Sequence, residues 1–321
     1  MKRTVAISSR AYVFHKDGQL HIKTKDSEPT VPIEDIGVLI LEDLQSTISV
    51  SALNALMENN CVVIGCDNKH TPNSVMYPIS ANVLHTAVLK TQLKASAPLM
   101  KQLWRQTVRA KLMNQAAVLR SRGINTEPIE LWVRKVRSGD PGNLEGRGAA
   151  FYWRHYFPSA DQFVRDPEGE GVNSALNYGY AIVRAAMARA IVGSGLHPSI
   201  GLHHRNQYNP FCLADDLMEP YRPFVDLTVL DIINDQGMEI EISAENKKQL
   251  LSILSVDAVI EGERKPLMLS LTATTASLVR CFAGDTKKIV FPETTNVMPA
   301  KAGIHAAQTE PEASPKERVS Q

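Results

Sequence analysis

Three stretches of this chain carry side chains able to hold a hard cation. The first runs Gly139-Asp140-Pro141-Gly142-Asn143-Leu144-Glu145-Gly146-Arg147-Gly148-Ala149-Ala150, placing Glu145 near a helix start among glycines and alanines. Small neighbours let a phosphate or a second chain come close to the backbone. A glutamate in that position can also do no more than complement the positive end of its helix. The second stretch, Gly195 to Asn206, holds His197, His203 and His204 in an irregular loop with Gly195 and Gly201. Neighbours such as His203 and His204 point apart in any regular element, so at most one of the two serves as a ligand. The third stretch contains Asp215, Asp216, Glu219 and Arg222. Asp216 and Glu219 are three apart and share a helix face. Two carboxylates so placed repel unless a cation or a proton lies between them. Arg222, three beyond Glu219, offers an ordinary ion pair instead.

Taken together, two carboxylates and an imidazole from separate elements make an oxygen-rich site with open positions, suited to magnesium or manganese. Such an ion polarises a phosphoryl oxygen and stabilises both the attacking and the leaving oxygen of an in-line displacement. Hydrolysis and strand transfer share that chemistry, so a plain metal-dependent nuclease acting on DNA or RNA stands beside a strand-transferring enzyme. A non-catalytic scaffold would use the same residues structurally. No Ser-His-Asp arrangement, phosphate-binding P-loop or dinucleotide loop is present.

The elements that must position these groups fall into two halves. Residues 1–78 read as strand-rich. Thr4–Ile7, Ala11–Phe14, Gln19–Lys23, Ile36–Leu41 and Cys61–Ile64 are strands, with a hairpin at Asp17-Gly18. One helix, from Ser49 to Asn59, interrupts them, with Ser49 as its N-cap. Asp67–Pro78 reads as a linker because of Pro72, Asn73 and Pro78. Residues 79–291 take helical spacing, with helices expected over Val83–Ala95, Pro98–Arg120, Glu127–Val136, Gly142–His155, Val172–Ser194, Asn209–Leu230, Ala244–Ser255 and Leu267–Cys281. Residues 292–321, rich in Pro, Ser, Glu and Lys, read as a disordered tail. The expected fold is α+β: a small N-terminal β-rich domain followed by a larger α-helical domain carrying the chemistry.

Charge is concentrated where the helices begin. The whole chain of 321 residues carries +1, but Lys90 to Arg137 holds eleven Lys/Arg against Glu127 and Glu130, a net +9. That is the footprint of a phosphate-backbone binder or, more plainly, a solvated helix face. The four cysteines (Cys61, Cys66, Cys212, Cys281) form no zinc-ligand spacing and fit a reducing cytoplasm. No apolar h-region follows MKRTVAISSR, and no run of about 18 apolar residues exists. The expected location is cytoplasmic, away from membranes.

The motifs resemble one family. Asn143-Leu144-Glu145-Gly146 with Tyr152-Trp153, then Asn173-Ser174-Ala175-Leu176-Asn177-Tyr178-Gly179-Tyr180, then Gly201-Leu202-His203-His204, then Asn209-Pro210-Phe211 with Asp215 through Pro223, follow the order and spacing of a CRISPR-associated integrase. That family is the universal adaptation protein numbered first in its series, and the chain resembles its type II form up to about Pro292. The resemblance implies a Glu/His/acidic metal site falling on Glu145, His204 and Glu219, with His203 the lesser choice for the histidine and Asp216 and Arg222 in support. It places Asn177 and Tyr178 near the site, with substrate contact a secondary role. It further implies a β-rich dimerisation domain, and Mg2+ or Mn2+ as cofactor. The assembly it implies is two homodimers bridged by a dimer of the small second adaptation protein, a heterohexamer. That assembly would hold a prespacer DNA duplex, whose 3′-OH ends attack the boundaries of the CRISPR repeat. In the type II form, contact with the RNA-guided effector nuclease is expected as well.

Overall fold

A computed structural model describes residues 2–68, 72–78, 81–157 and 163–294. The N-terminal half contains two four-stranded sheets. One is built from β1 (Arg3–Ile7), β5 (Ile36–Leu41), β7 (Val62–Cys66) and β8 (Pro72–Met76), in that spatial order. The other orders β4 (Thr30–Pro32), β3 (Gln19–Lys23), β2 (Tyr12–Lys16) and β6 (Thr47–Ile48). The hairpin at Asp17-Gly18 forms as expected, with both residues at positive φ (51° and 73°). Helix α1 (Val50–Glu58) starts where Ser49 accepts a hydrogen bond from Ala52 N at 3.2 Å.

Strand β5, Ile-Gly-Val-Leu-Ile-Leu, is apolar throughout because it is buried on both faces. It pairs in parallel with β1 on one side and β7 on the other. Alternation then divides its side chains. Ile36 and Leu39 join Val13, Leu20 and Leu56 in a core between the sheets and α1. Val38 and Ile40, with Val62 and Ile64, belong to the large core of the helical half. The first sheet is therefore a wall common to both cores.

The expected linker holds a strand. β8 runs antiparallel to β7, with Ile64 opposite Val75 and Gly65 opposite Ser74. Pro72 opens this strand at the sheet edge, a position where proline is tolerated. Edge-strand pairing offsets the turn-like composition that suggested a connection.

The helical half follows the predicted periods closely: α2 (His85–Leu93), α3 (Ala97–Ser121), α4 (Glu127–Lys135), α5 (Leu144–Tyr156), α6 (Val172–Gly193) and α10 (Leu267–Ala283). The long helix expected over Asn209–Leu230 is divided into α7 (Cys212–Met218), a 3-10 turn at Glu219–Tyr221 and α8 (Arg222–Gln236). Pro220 and Pro223 lack the N–H groups that a continuous helix needs. Likewise Ala244–Ser255 forms α9 (Ala244–Leu251) and then a 3-10 turn, followed by an unforeseen hairpin of β9 (Asp257–Ile260) and β10 (Glu263–Pro266). Its turn uses Glu261 and Gly262 at positive φ (53° and 81°).

The segment expected to leave the fold at residue 292 stays docked through 294. Asn114 on α3 donates to Pro292 O at 3.0 Å and accepts from Thr294 N at 3.2 Å, while Glu293 bridges to Val259. The rest of the expected tail, 295–321, lies outside the described residues.

Helix α3 is the spine of this half, and α5 approaches it closely at Gly148. A methyl group there would fall on Cδ2 of the buried Leu112. Replacing Gly148→Ala forces α5 away from α3 inside a packed core. It should cost about 1–3 kcal/mol, read as a drop in the midpoint of chemical denaturation.

Candidate functional site

The sequence positions Glu145 with care. Asn143 takes a left-handed conformation (φ 45°) and accepts from Gly146 N at 3.2 Å, capping α5. Asp140 accepts from Leu144 N at 3.0 Å and from Glu145 N at 2.9 Å. With its backbone pinned twice over, the Glu145 side chain projects from the first turn of α5 toward α3. There it meets Lys111, whose ammonium donates to Glu145 Oε1. The same ammonium lies 2.5 Å from Glu219 Oε2. Lys111 thus joins two carboxylates that are 74 positions apart in the chain.

Glu219 comes from the 3-10 turn between α7 and α8. Arg222 donates from Nε to Glu219 Oε1 at 2.8 Å and lies over the Tyr180 ring, 4.6 Å from its centroid. Burial alone would push the Glu219 carboxyl up. The guanidinium of Arg222 and the ammonium of Lys111 outweigh it and hold the group down at about 2. Burial likewise works against the Lys111 ammonium, but Glu219 and then Glu145 reverse the effect and keep it above the ordinary lysine value. Among the described residues, no hydrogen bond of regular geometry reaches Glu219 Oε2, and its partner is that ammonium.

His204 belongs to a second cluster beside the first. Asp216, fully buried on α7, accepts from His203 N at 2.8 Å, from His204 N at 3.4 Å and from His204 Nδ1 at 2.5 Å. The last bond raises the imidazole above its ordinary value, with burial opposing it. Nε2 remains as the ring nitrogen not engaged by Asp216. Trp104 on α3 stacks on His203 (centroids 4.5 Å apart, planes 5° from parallel) and meets His204 edge-on at 5.7 Å. Gly201 permits the tight loop, because a side chain there would meet His204 O at 2.5 Å and Asp216 Oδ2 at 2.8 Å.

Of the residues singled out in the sequence, Glu145 and Glu219 are brought together through Lys111, with Arg222 bound to Glu219 and His204 to Asp216. Among the described residues, no group of three His, Cys, Asp or Glu side chains stands already gathered as a metal cage. The donor chemistry nevertheless fits a hard cation, since two carboxylates already share a positive charge. Asn177 and Tyr178 send their bonds elsewhere. Asn177 accepts from Arg165 Nη2 at 2.5 Å and donates to Pro167 O at 2.7 Å. Tyr178 donates to the buried Glu42, which also pairs with Lys247 at 3.1 Å. Lys111 itself, counted in the sequence with the basic face of the helices, is 6% exposed. The signal that could have placed it inside is helical spacing. Lys111 shares the α3 stripe of Trp104, Val108, Leu112 and Gln115, all buried, and a lysine on such a stripe needs an interior partner. Trp104 and Asp140 were missed for a different reason: each acts through a neighbour and has no chemistry of its own.

Behind Arg222 lies a buried carboxyl, Asp226, which accepts from Tyr152 OH at 2.9 Å and from Tyr180 OH. Tyr156, Arg165 and Arg222 complete the charged and titratable groups around it. Burial pushes Asp226 up to about 7 against the pull of the two hydroxyls and the arginines.

Likeness to known proteins assigns this α+β chain to the CRISPR-associated proteins. The sequence profile of the family described as CRISPR associated protein Cas1 matches residues 5–255. A CRISPR-associated endonuclease Cas1 from Neisseria meningitidis serogroup C (strain 8013) is 38% identical over 247 residues, 76% of this chain and 80% of that protein. The chain belongs to the Cas1 family. Its fold is also that of a casposase bound to integration product (TM-score 0.74, 19% identity, 90% of this chain and 92% of that one). A Cas6-RT-Cas1--Cas2 complex contains it again (TM-score 0.71, 18% identity, 89% of this chain and 35% of that one).

Asp226 supplies a pH test. The native state holds this proton more tightly than the unfolded chain, so its contribution to stability is complete in acid and is lost as pH rises from about 4 to about 7. Asp226→Asn removes that loss. The Tm of the variant relative to wild type should therefore climb between pH 5 and pH 8 in parallel thermal melts.

Proposed function

We propose that this chain is a divalent-metal-dependent DNA integrase that joins a prespacer 3′-OH to the end of a CRISPR repeat. The carrying observation is the pair of carboxylates, Glu145 and Glu219, set on one shared cation with His204 held alongside. Family membership and the fold it has in common with a casposase bound to integration product support the reading. Glu145, Glu219 and Nε2 of His204 would hold Mg2+ or Mn2+, with Asp216 orienting the imidazole through Nδ1. When bound, such an ion supplies charge neutralisation at the phosphoryl group and lowers the pKa of the attacking hydroxyl. Arg222 keeps Glu219 ionised and fixed. Attack forms a bond from the 3′-oxygen to phosphorus and breaks the bond from that phosphorus to the leaving 3′-oxygen of the repeat strand. A proton leaves the attacking hydroxyl and one is taken up by the leaving oxygen. Use of water in place of the 3′-OH would give hydrolysis, the activity named in the Neisseria relative.

DNA must lie along the positive helices to reach this point. Arg105, Arg134, Lys135 and Arg137 line one recess between α3 and the end of α4. Arg120, by contrast, is tied to Glu130 at 2.6 Å. The recess is the proposed backbone contact. The small second adaptation protein, the partner seen in the Cas1–Cas2 neighbour, would bridge two homodimers into a heterohexamer, and the type II effector nuclease would contact that assembly. Residues 1–78 are the proposed dimerisation domain and 79–291 the catalytic, DNA-binding one. No helix among the described residues is long and apolar enough to cross a membrane.

Half-site integration tests the reading, using purified protein, its small partner, a short duplex and a supercoiled plasmid bearing the repeat. Joined product should require Mg2+ or Mn2+ and fall on the order of a thousandfold in Glu145→Gln or His204→Ala. Cleavage with no joined product would favour hydrolysis alone, and joining that persists in chelator would remove the metal from the account. Replacing Arg134, Lys135 and Arg137 with alanine should flatten the log–log salt dependence of duplex binding by about 2.7, at ~0.9 per phosphate contact. Filter binding across a salt series measures that slope.

A further inference from the structure

We propose that Lys111 is a resident counter-cation of the metal site, bound to Glu145 and Glu219 in the metal-free protein and displaced when the divalent ion binds. The inference rests on the metal-site reading above and adds an exchange step to it. Its basis is geometric. One buried ammonium contacts both carboxylates, one of them at 2.5 Å. A divalent ion held by the same two groups needs their oxygens at roughly 2.0–2.2 Å, which leaves no room for an ammonium between them. Like charges so close in a site sheltered from water repel strongly.

The arrangement fixes which atoms change partner. Arg222 grips Glu219 Oε1 and is itself set against Tyr180. Asp140 and Asn143 fix the backbone of Glu145. Among the described residues Glu219 Oε2 has Lys111 as its sole charged partner, so that oxygen passes from ammonium to metal. A lysine can make the move. Its charge sits on a flexible four-carbon stem with rotatable donors, unlike the planar fork of arginine. In the absence of metal the ammonium performs a second task. A buried and a half-buried carboxylate facing each other without a cation would repel and either take up a proton or open the contact between α3 and α5. Lys111 therefore trades metal affinity for a folded metal-free state.

Calorimetric titration of Mn2+ into wild type, Lys111→Met and Lys111→Gln tests the exchange, alongside thermal melts with and without Mn2+. Both variants should bind Mn2+ at least about tenfold more tightly than wild type, about 1.4 kcal/mol. Their metal-free Tm should fall, and saturating Mn2+ should raise it by more than it raises that of wild type. A variant unfolded without metal but restored to native circular dichroism by Mn2+ meets the same expectation. Equal or weaker Mn2+ binding in both variants, or a variant that Mn2+ fails to restore, overturns the exchange. Wild-type titrations beside Glu145→Gln and Glu219→Gln separate the two levels. If Mn2+ binding ignores both glutamates, the metal site itself falls and the exchange with it. If binding depends on them yet the Lys111 variants gain nothing, only the exchange fails.

Discussion

A single charge chain, Glu145 to Lys111 to Glu219 to Arg222, with its two central members buried, is the constraint around which the helical half is arranged. Lys111 and Glu219 would each be expensive alone in that interior, since an unpaired buried ion costs several kcal/mol even after relaxation. Each is therefore useful only if its neighbour arrives at the correct distance. Glu145 comes from α5, Lys111 from α3, and Glu219 with Arg222 from the turn into α8. Three elements must meet within hydrogen-bond reach for any of the charges to be tolerated. The ion chain thus specifies register between helices whose apolar faces would accept several alignments.

The supports around the chain share a logic. Groups that must stay still are held from the backbone outward: Asp140 takes two consecutive N–H groups at the start of α5, and Asp216 takes those of His203 and His204. α3 supplies the remaining contacts from one face. Trp104 packs on the histidine loop and Lys111 joins the carboxylates. Three residues on, Asn114 donates to Pro220 O at 2.7 Å and reaches the chain end at Pro292. Trp104 and Lys111 are seven apart, two turns along a single face, so one rigid element gauges the separation between the imidazole and the carboxylates.

How much of this the sequence disclosed depends on the range of the interaction. β5 was legible because six apolar residues in succession allow little but a strand buried on both faces. Helices α3, α4, α5 and α6 were legible because their apolar residues recur at helical spacing. By contrast, β8 was hidden because a proline at an edge strand resembles a linker, and the break at Glu219–Tyr221 because the spacing of Asp216 and Glu219 suits a continuous helix while Pro220 and Pro223 interrupt one. In the site, Glu145, His204 and Glu219 could be nominated from residue type and motif. Asp216 and Arg222 could be named beside them, but Lys111, the shared partner of Glu145 and Glu219, could not, because it pairs across 34 and 108 positions of the chain. Only the incongruity of a lysine in an apolar stripe pointed inward.

That incongruity bears on how the two clusters divide the work. The imidazole cluster is held by hydrogen bonds and ring stacking that no cation need disturb, and His204 keeps one nitrogen outside its bond to Asp216. The carboxylate cluster is held by cations, one of them fixed in orientation by Tyr180 and the other on a flexible stem. Such a site holds its histidine and one oxygen of Glu219 through fixed partners, and the other oxygen and Glu145 through the flexible Lys111. Under the proposed exchange, a fixed imidazole that aims and carboxylates that trade one cation for another would let one protein stay folded both with and without an ion at its centre.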